Sequence, residues 1–246
     1  MLANHTNFAS EESAATTPEL SPDASADVLS ASDLALTEDL ALALLKRADL
    51  SAPALERLSK NGAIMKSRKV KLALLEHPKT PRHVSLPAVR HLFTFDLMKL
   101  ALTPVVPADI KAAAEETLIN RLEAISSGEK LSLAHRASGR IAAELLLEAE
   151  SRVVHAALEN PRLTEPLVVK ALMRSDAPAP FVHGVCHDSK WSLRREVRIA
   201  LLRNQHTPMA RALEFARSLP AAVVREILHG SRLPANIKDY ILKSLA

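Results

Sequence analysis

The run His183-Gly184-Val185-Cys186-His187-Asp188 sets two imidazoles and a thiol at positions i, i+3 and i+4. On a helix those three side chains share one face. Imidazole and thiolate are zinc ligands, but a structural zinc site takes four of them and Cys186 is the only cysteine of the chain. Gly184 also weakens the helix that would align them. Packing and capping are therefore expected at His183, Cys186 and His187, with no metal and no cofactor.

A second kind of chemistry is phosphate contact. Lys66, Arg68, Lys69 and Lys71 form one basic run, and Arg194, Arg195 and Arg198 follow Trp191 in another. About six to ten such contacts dominate nucleic-acid affinity and make it sensitive to salt. These eight residues form the candidate binding set, for a partner or for nucleic acid. A basic patch is more often a solvated face, and single-strand binders interleave aromatics with the charge. Aromatics make up 3% of this chain, with one Trp, one Tyr and five Phe.

Other reaction chemistry finds no support. Ala137-Ser138-Gly139-Arg140 is not a phosphate loop, and no Gly-x-Ser-x-Gly elbow occurs. Glu115-Glu116 lies among Ala and Thr and reads as helix surface. No catalytic residue is expected, and the chain is not expected to be an enzyme.

The elements that position these residues follow from composition. Apolar types make up 48% of 246 residues, mostly Leu, Ala, Val and Ile. Leu and Ala favour helices, and Gly is scarce at 5 against 15 Pro, as in chains of many short helices. No segment alternates with period two, so no sheet is expected. Stripes at helical spacing run through Ile110, Ala114, Leu118, Leu122 and Ile125. Others run through Met209, Ala212, Leu213, Ala216 and Leu219, and through Leu193, Val197, Ala200 and Leu201.

Charge is segregated. Met1 to Leu45 holds eight acids and no Lys or Arg, while the remainder holds 20 acids against 32 bases, a net of +12. Residues 1–32 are rich in Ala, Ser, Thr, Pro and Glu without a period, and the expectation is a disordered acidic tail that solubilises without a docking site, with competition for the basic body as the alternative. No basic residue precedes an apolar run at the N-terminus, and no uncharged apolar stretch nears the ~20 residues of a membrane span. A reducing, cytoplasmic setting without membrane contact is expected.

The punctuation recurs. Leu72 to Pro81 (LALLEHPKTP), Ile199 to Pro208 (IALLRNQHTP) and Ala156 to Thr164 (AALENPRLT) share one pattern, with weaker copies ending at Pro107, Gly139 and Pro234. The anchors 81, 107, 139, 164, 208 and 234 are 26, 32, 25, 44 and 26 apart, and the 44 hides a degenerate unit near Ala177-Pro178-Ala179-Pro180. Each element is expected to be a helix closed by His77, His135, Asn160 or Asn204. At these ends Asn takes the left-handed conformation or His bonds the last carbonyls. Thr80 or Thr207 then caps the next helix, with Pro at its first position.

On these residues the chain resembles bacterial leucine-rich-repeat variant and HEAT-like repeat proteins, over roughly Val70 to Leu245. The stretch Glu129 to Arg174 is also similar to bacterial helical-repeat proteins without a characterised activity. The resemblance implies an all-α, α-solenoid fold. One type of leucine-rich-repeat variant protein holds a cysteine-ligated iron–sulfur cluster, and those cysteines are missing here. Some HEAT-like proteins are DNA glycosylases that use an Asp and aromatics in a basic groove. Asp188, Trp191, Arg194 and Arg198 invite that comparison, but one Trp and one Tyr do not line a pocket for a flipped base. The expected arrangement is a tail over 1–32 and one repeat domain of about six to seven units over 33–246. A protein partner is the expected ligand, with nucleic acid as the alternative.

Overall fold

In a computed structural model, residues 36–244 are described. The expected disordered segment 1–32 and its acidic residues lie outside them. The described chain is all-α, without a strand. Fifteen helices follow in order: α1 (Glu38–Leu45), α2 (Ala52–Lys60), α3 (Arg68–Glu76), α4 (Arg82–Val89), α5 (Thr94–Leu102), α6 (Ala108–Ile119), α7 (Ser127–Arg136) and α8 (Gly139–Leu145). They continue with α9 (Ser151–Leu158), α10 (Glu165–Met173), α11 (Ala179–His187), α12 (Arg195–Arg203), α13 (Met209–Arg217), α14 (Ala221–His229) and α15 (Ala235–Ser244). Single 3-10 turns stand at Ile64–Lys66 and Leu122–Ala124.

Helices of seven to twelve residues are marginal alone and must bury an apolar stripe against neighbours. Here they do so in two layers. The odd helices stack as α1 on α3, α3 on α5, α7 on α9, α9 on α11 and α13 on α15. The even helices stack as α4 on α6, α6 on α8, α8 on α10, α10 on α12 and α12 on α14. This is the i to i+2 packing of an α-solenoid. One edge of the stack carries the N-termini of odd helices and the C-termini of even ones; the other edge carries the reverse. The buried side chains form two clusters that meet on α3, where Leu74 belongs to one and Leu72 and Leu75 to the other.

The repeated corners work differently from the sequence expectation. Asn204 has φ −94 and His77 φ −74, so neither closes its helix in the left-handed region. Their side chains instead reach the neighbouring repeat. Asn160 Nδ2 donates to the carbonyls of Ala134 (2.6 Å) and Ala137 (3.2 Å) at the end of α7. Asn204 Nδ2 donates to Leu172 O at the end of α10 (2.9 Å). His77 Nε2 lies 3.0 Å from Arg47 O beyond α1. Each side chain also accepts a backbone N–H two residues on, from Arg162 (2.8 Å), His206 (3.0 Å) and Lys79 (3.3 Å). The short polar side chain thus tightens its own turn and ties that turn to the adjacent helix end.

Thr80 and Thr207 are not N-caps. Both are buried, and their hydroxyls donate to carbonyls six residues back, Leu74 O (2.5 Å) and Leu201 O (2.6 Å). The N-cap position belongs to Pro81 and Pro208, at φ −60 and −61 with ψ near 140. Proline's fixed φ suits that extended entry, and the following amides start the helix. Thr207→Ala therefore removes a buried hydroxyl–carbonyl bond and leaves Leu201 O to the Asn204 amide alone, and an expected loss of roughly 0.5–1.5 kcal/mol in denaturant stability follows. Thr207→Ser, which keeps the hydroxyl, is expected to recover about half of it or more.

The motif also changes edge. At Pro81 and Thr164 it leads from an odd helix into an even one, and at Pro208 from α12 into α13. The 44-residue gap therefore holds one and a half helix pairs. Pro178 is the N-cap of α11 inside it, where the degenerate unit was expected.

Two stripe positions lie outside the core. Leu193 is 68% exposed before α12 begins, and Met209 is 40% exposed at the start of α13. Leu201 is fully buried. Leu201→Ala is expected to cost roughly 2–5 kcal/mol, and Leu193→Ala less than about 0.5 kcal/mol, by urea denaturation. Equal effects would mean that the α12 stripe is wrongly placed.

Candidate interaction surface

The eight residues singled out from sequence do not converge. Arg68 is clamped on Asp96 by two bonds, Nε to Oδ2 at 2.6 Å and Nη2 to Oδ1 at 2.8 Å, with its guanidinium 5.0 Å from the Phe93 ring centre. Asp96 holds the Arg68 pKa above its ordinary value. Lys66 and Lys69 stand exposed beside it, and Lys71 is half-buried on α3. Arg194 lies 3.8 Å from Glu165, and Arg195 is exposed. Arg198 donates to Ser192 O at 2.7 Å.

The Lys66 run opens α3, on the edge where odd helices begin. The Arg194 run opens α12, on the opposite edge and four helix pairs away, roughly 35–40 Å at ordinary helix spacings. Trp191 is 2% exposed, and its indole N–H donates to Leu158 O at 3.0 Å. It joins the α11–α12 corner to the end of α9 and offers no face to a base. Asp188 Oδ1 accepts the amides of Lys190 and Trp191 at 2.8 and 2.9 Å, which shapes that same corner.

The zinc-like trio also divides. Cys186 is buried in the core, and burial pushes its thiol up to about 12. His183 Nε2 lies 3.1 Å from His206 O, and His187 Nδ1 lies 2.8 Å from His183 O. Among the described residues no group of three or more His, Cys, Asp or Glu is placed to hold a metal ion. No described helix is long and apolar enough to cross a membrane.

A different feature stands out at α5–α7, one of two places, with α11–α13, where the odd layer is interrupted. The α6–α7 connection, with its 3-10 turn, is the segment that lengthens the spacing to 33 residues between the starts of α5 (Thr94) and α7 (Ser127). α5 and α7 pack little against each other, and the Glu129 carboxylate at the start of α7 is taken by the capping box with Ser126. Between the two helices lies an open trough of about 610 Å3. Phe95, Met98 and Leu102 come from α5, Pro104 from the next corner, and Ser132 and Arg136 from α7. Phe95 is 38% exposed, and Phe93 and Val105 nearby are 64% and 61% exposed.

The charged side chains that line the trough are both cations. Lys99 and Arg136 line it, and no carboxylate does. Lys99 pairs with Glu76 at 2.8 Å, while Arg136 has no ion-pair partner among the described residues. Grooves between α4 and α6, α7 and α9, and α8 and α10 measure about 410, 380 and 240 Å3, and each includes a carboxylate: Glu116, Glu159 and Glu144. Chemically, the trough fits an apolar side-chain cluster followed by negative charge.

None of its lining residues belongs to the set expected from sequence. Two signals point to it in hindsight. Phe93-Thr94-Phe95 concentrates two of the seven aromatics in three residues, and the 32-residue anchor spacing from 107 to 139 marks the longer connection. Compared with known proteins, the chain matches no family model, no curated protein and no solved structure at a significant level.

Proposed function

We propose that this chain is a non-enzymatic helical-repeat interaction protein, of HEAT-like or leucine-rich-repeat variant type, that binds a protein partner. The observation that carries the reading is the α5–α7 trough. Its apolar floor with a cationic rim suits a short amphipathic helix that sets apolar side chains at i, i+3 and i+4 and acids beyond them. Two further observations support a protein ligand over nucleic acid. The basic runs at Lys66–Lys71 and Arg194–Arg198 lie on opposite edges, so they make no single phosphate track. Trp191 is buried, and base stacking requires an open ring.

The test is fluorescence anisotropy of amphipathic helical peptides that share one apolar face and differ in the charge of the other. The acidic peptide is expected to bind and the basic one not. Phe95→Ala is expected to weaken binding by about 10- to 30-fold, as for a partly buried aromatic anchor. Since Phe95 is 38% exposed, the fold is expected to survive. Binding that ignores Phe95, or that needs nucleic acid in the sample, would overturn the reading.

A further inference from the structure

We infer that the trough between α5 and α7 is occupied in cis by the acidic N-terminal segment of the same chain, with Phe8 as the anchor and Glu11 and Glu12 facing Arg136 and Lys99. This rests on the reading of the trough as a peptide-binding surface and names what regulates it.

Charge complementarity is the first argument. Residues 1–35 hold six acids and no Lys or Arg, against a groove lined by two cations and no carboxylate. The three other grooves named above each place a carboxylate in their lining, beside Arg90, Arg152 or, in the α8–α10 groove, Arg140, Lys170 and Arg174, whereas the trough presents its cations without one. The second argument is the pattern of the segment itself. Phe8 is the one aromatic residue before Leu36, and Glu11 and Glu12 follow it at i+3 and i+4. In a helical turn all three side chains share a face, so an aromatic ring at Phe95, Met98 and Leu102 brings the carboxylates toward the rim.

Reach is the third argument. The described chain begins at Leu36, just before α1, in the same layer as the trough. The trough lies beyond α3 and α5, about 20–25 Å away at ordinary interhelical spacings of 8–10 Å. Phe8 is 28 residues from Leu36, and a flexible chain of that length has an r.m.s. span of roughly 30 Å. A linker whose span matches the distance gives an effective concentration on the order of millimolar, enough to hold a weak ligand in place. A partner peptide with the same chemistry must displace it, which makes the segment a built-in competitor.

The experiment uses the full chain. Cys186 is buried with its thiol pushed up to about 12, so it takes little part in exchange near neutral pH. Ser10→Cys is combined with Ser132→Cys in the trough, or with Lys79→Cys as a control. Lys79 is exposed on the α3–α4 corner, which His77 ties to the end of α1, so it lies nearer the start of the stack. Under mild oxidation the Ser132→Cys pair is expected to form an intramolecular disulfide at least about tenfold faster than the control pair. Phe8→Ala or Arg136→Glu is expected to erase that preference, as is raising the salt to about 1 M, where the screening length falls to about 3 Å.

Equal rates for trough and control would overturn the inference, since a segment that only samples the surface favours the nearer site. Disulfide-linked dimers that grow with protein concentration would also overturn it, by assigning the trough to a second copy's segment. If the acidic test peptide binds through Phe95 while the cross-link shows no preference, the cis occupancy fails and the binding surface stands. If the peptide does not bind and Phe95→Ala leaves the cross-link unchanged, both fail.

Discussion

Replacing Asn160 with alanine is expected to destabilise the protein by roughly 3–5 kcal/mol. The side chain is fully buried and satisfies three backbone groups at once: the carbonyls of Ala134 and Ala137 and the amide of Arg162. Alanine leaves the two carbonyls without a partner in a place closed to water, at about 1–3 kcal/mol each, and also releases the Arg162 amide at the rim of the corner. Asn160→Asp keeps the acceptor for Arg162 but sets an acidic oxygen against two carbonyls, and no smaller loss is expected. Glu159→Ala, one residue away at an exposed site, should stay within about 0.5 kcal/mol. Urea titration by circular dichroism reads all three, with an unchanged m value as the sign that the folded state alone is affected. A loss below about 1 kcal/mol for Asn160→Ala would mean that the corner side chains do not hold the repeats together.

The second large effect concerns Gly139, the first residue of α8. A Cβ built there would stand 2.2 Å from Arg162 O and 3.1 Å from both Arg162 C and Leu167 Cδ1. The nearest obstacle is backbone, fixed in the corner that Asn160 organises, so it has little freedom to retreat. Gly139→Ala is expected to cost about 3 kcal/mol or more, at the upper end of overpacking effects. Gly128 in the first turn of α7 meets nothing within 4 Å, and Gly128→Ala is expected to stabilise by about 0.4–1 kcal/mol through the unfolded chain. Opposite signs for one chemical change at two helix starts are the check, by thermal or urea unfolding. Because Gly139 and Asn160 act on one corner, the double variant should lose less than the sum of the two.

The helices were legible because they are written locally. Leu- and Ala-rich runs with 3.6 periodicity, closed by Pro and Asn, need no tertiary knowledge, and the recurring corners betrayed the stack. The task of the corner residues was not legible. Asn160 and Asn204 look like helix terminators in sequence, yet their amides serve helix ends 26 and 32 residues earlier. Trp191 sits between Lys190 and Arg194, which placed it in the candidate binding set, and a corner of consecutive turns brings it inward onto Leu158. The trough escaped because it is made by helices that fail to pack, and periodicity reports only the faces that do. Arg136 looked like one more basic residue at a helix end until α5 and α7 were seen to part beside it.

That interruption has a mechanical meaning. Several adjacent pairs are tied through both layers, but α5 and α7, like α11 and α13, pack little against each other, while α6 on α8 carries the even layer through. A laminate bonded along one leaf flexes about that leaf. Bending strain therefore collects where one layer is missing, and at α5–α7 the gap by Leu102 and Arg136 opens or narrows as the two arms swing. A helix wedged into the gap would act as a splint, turning a jointed rod into a stiff one.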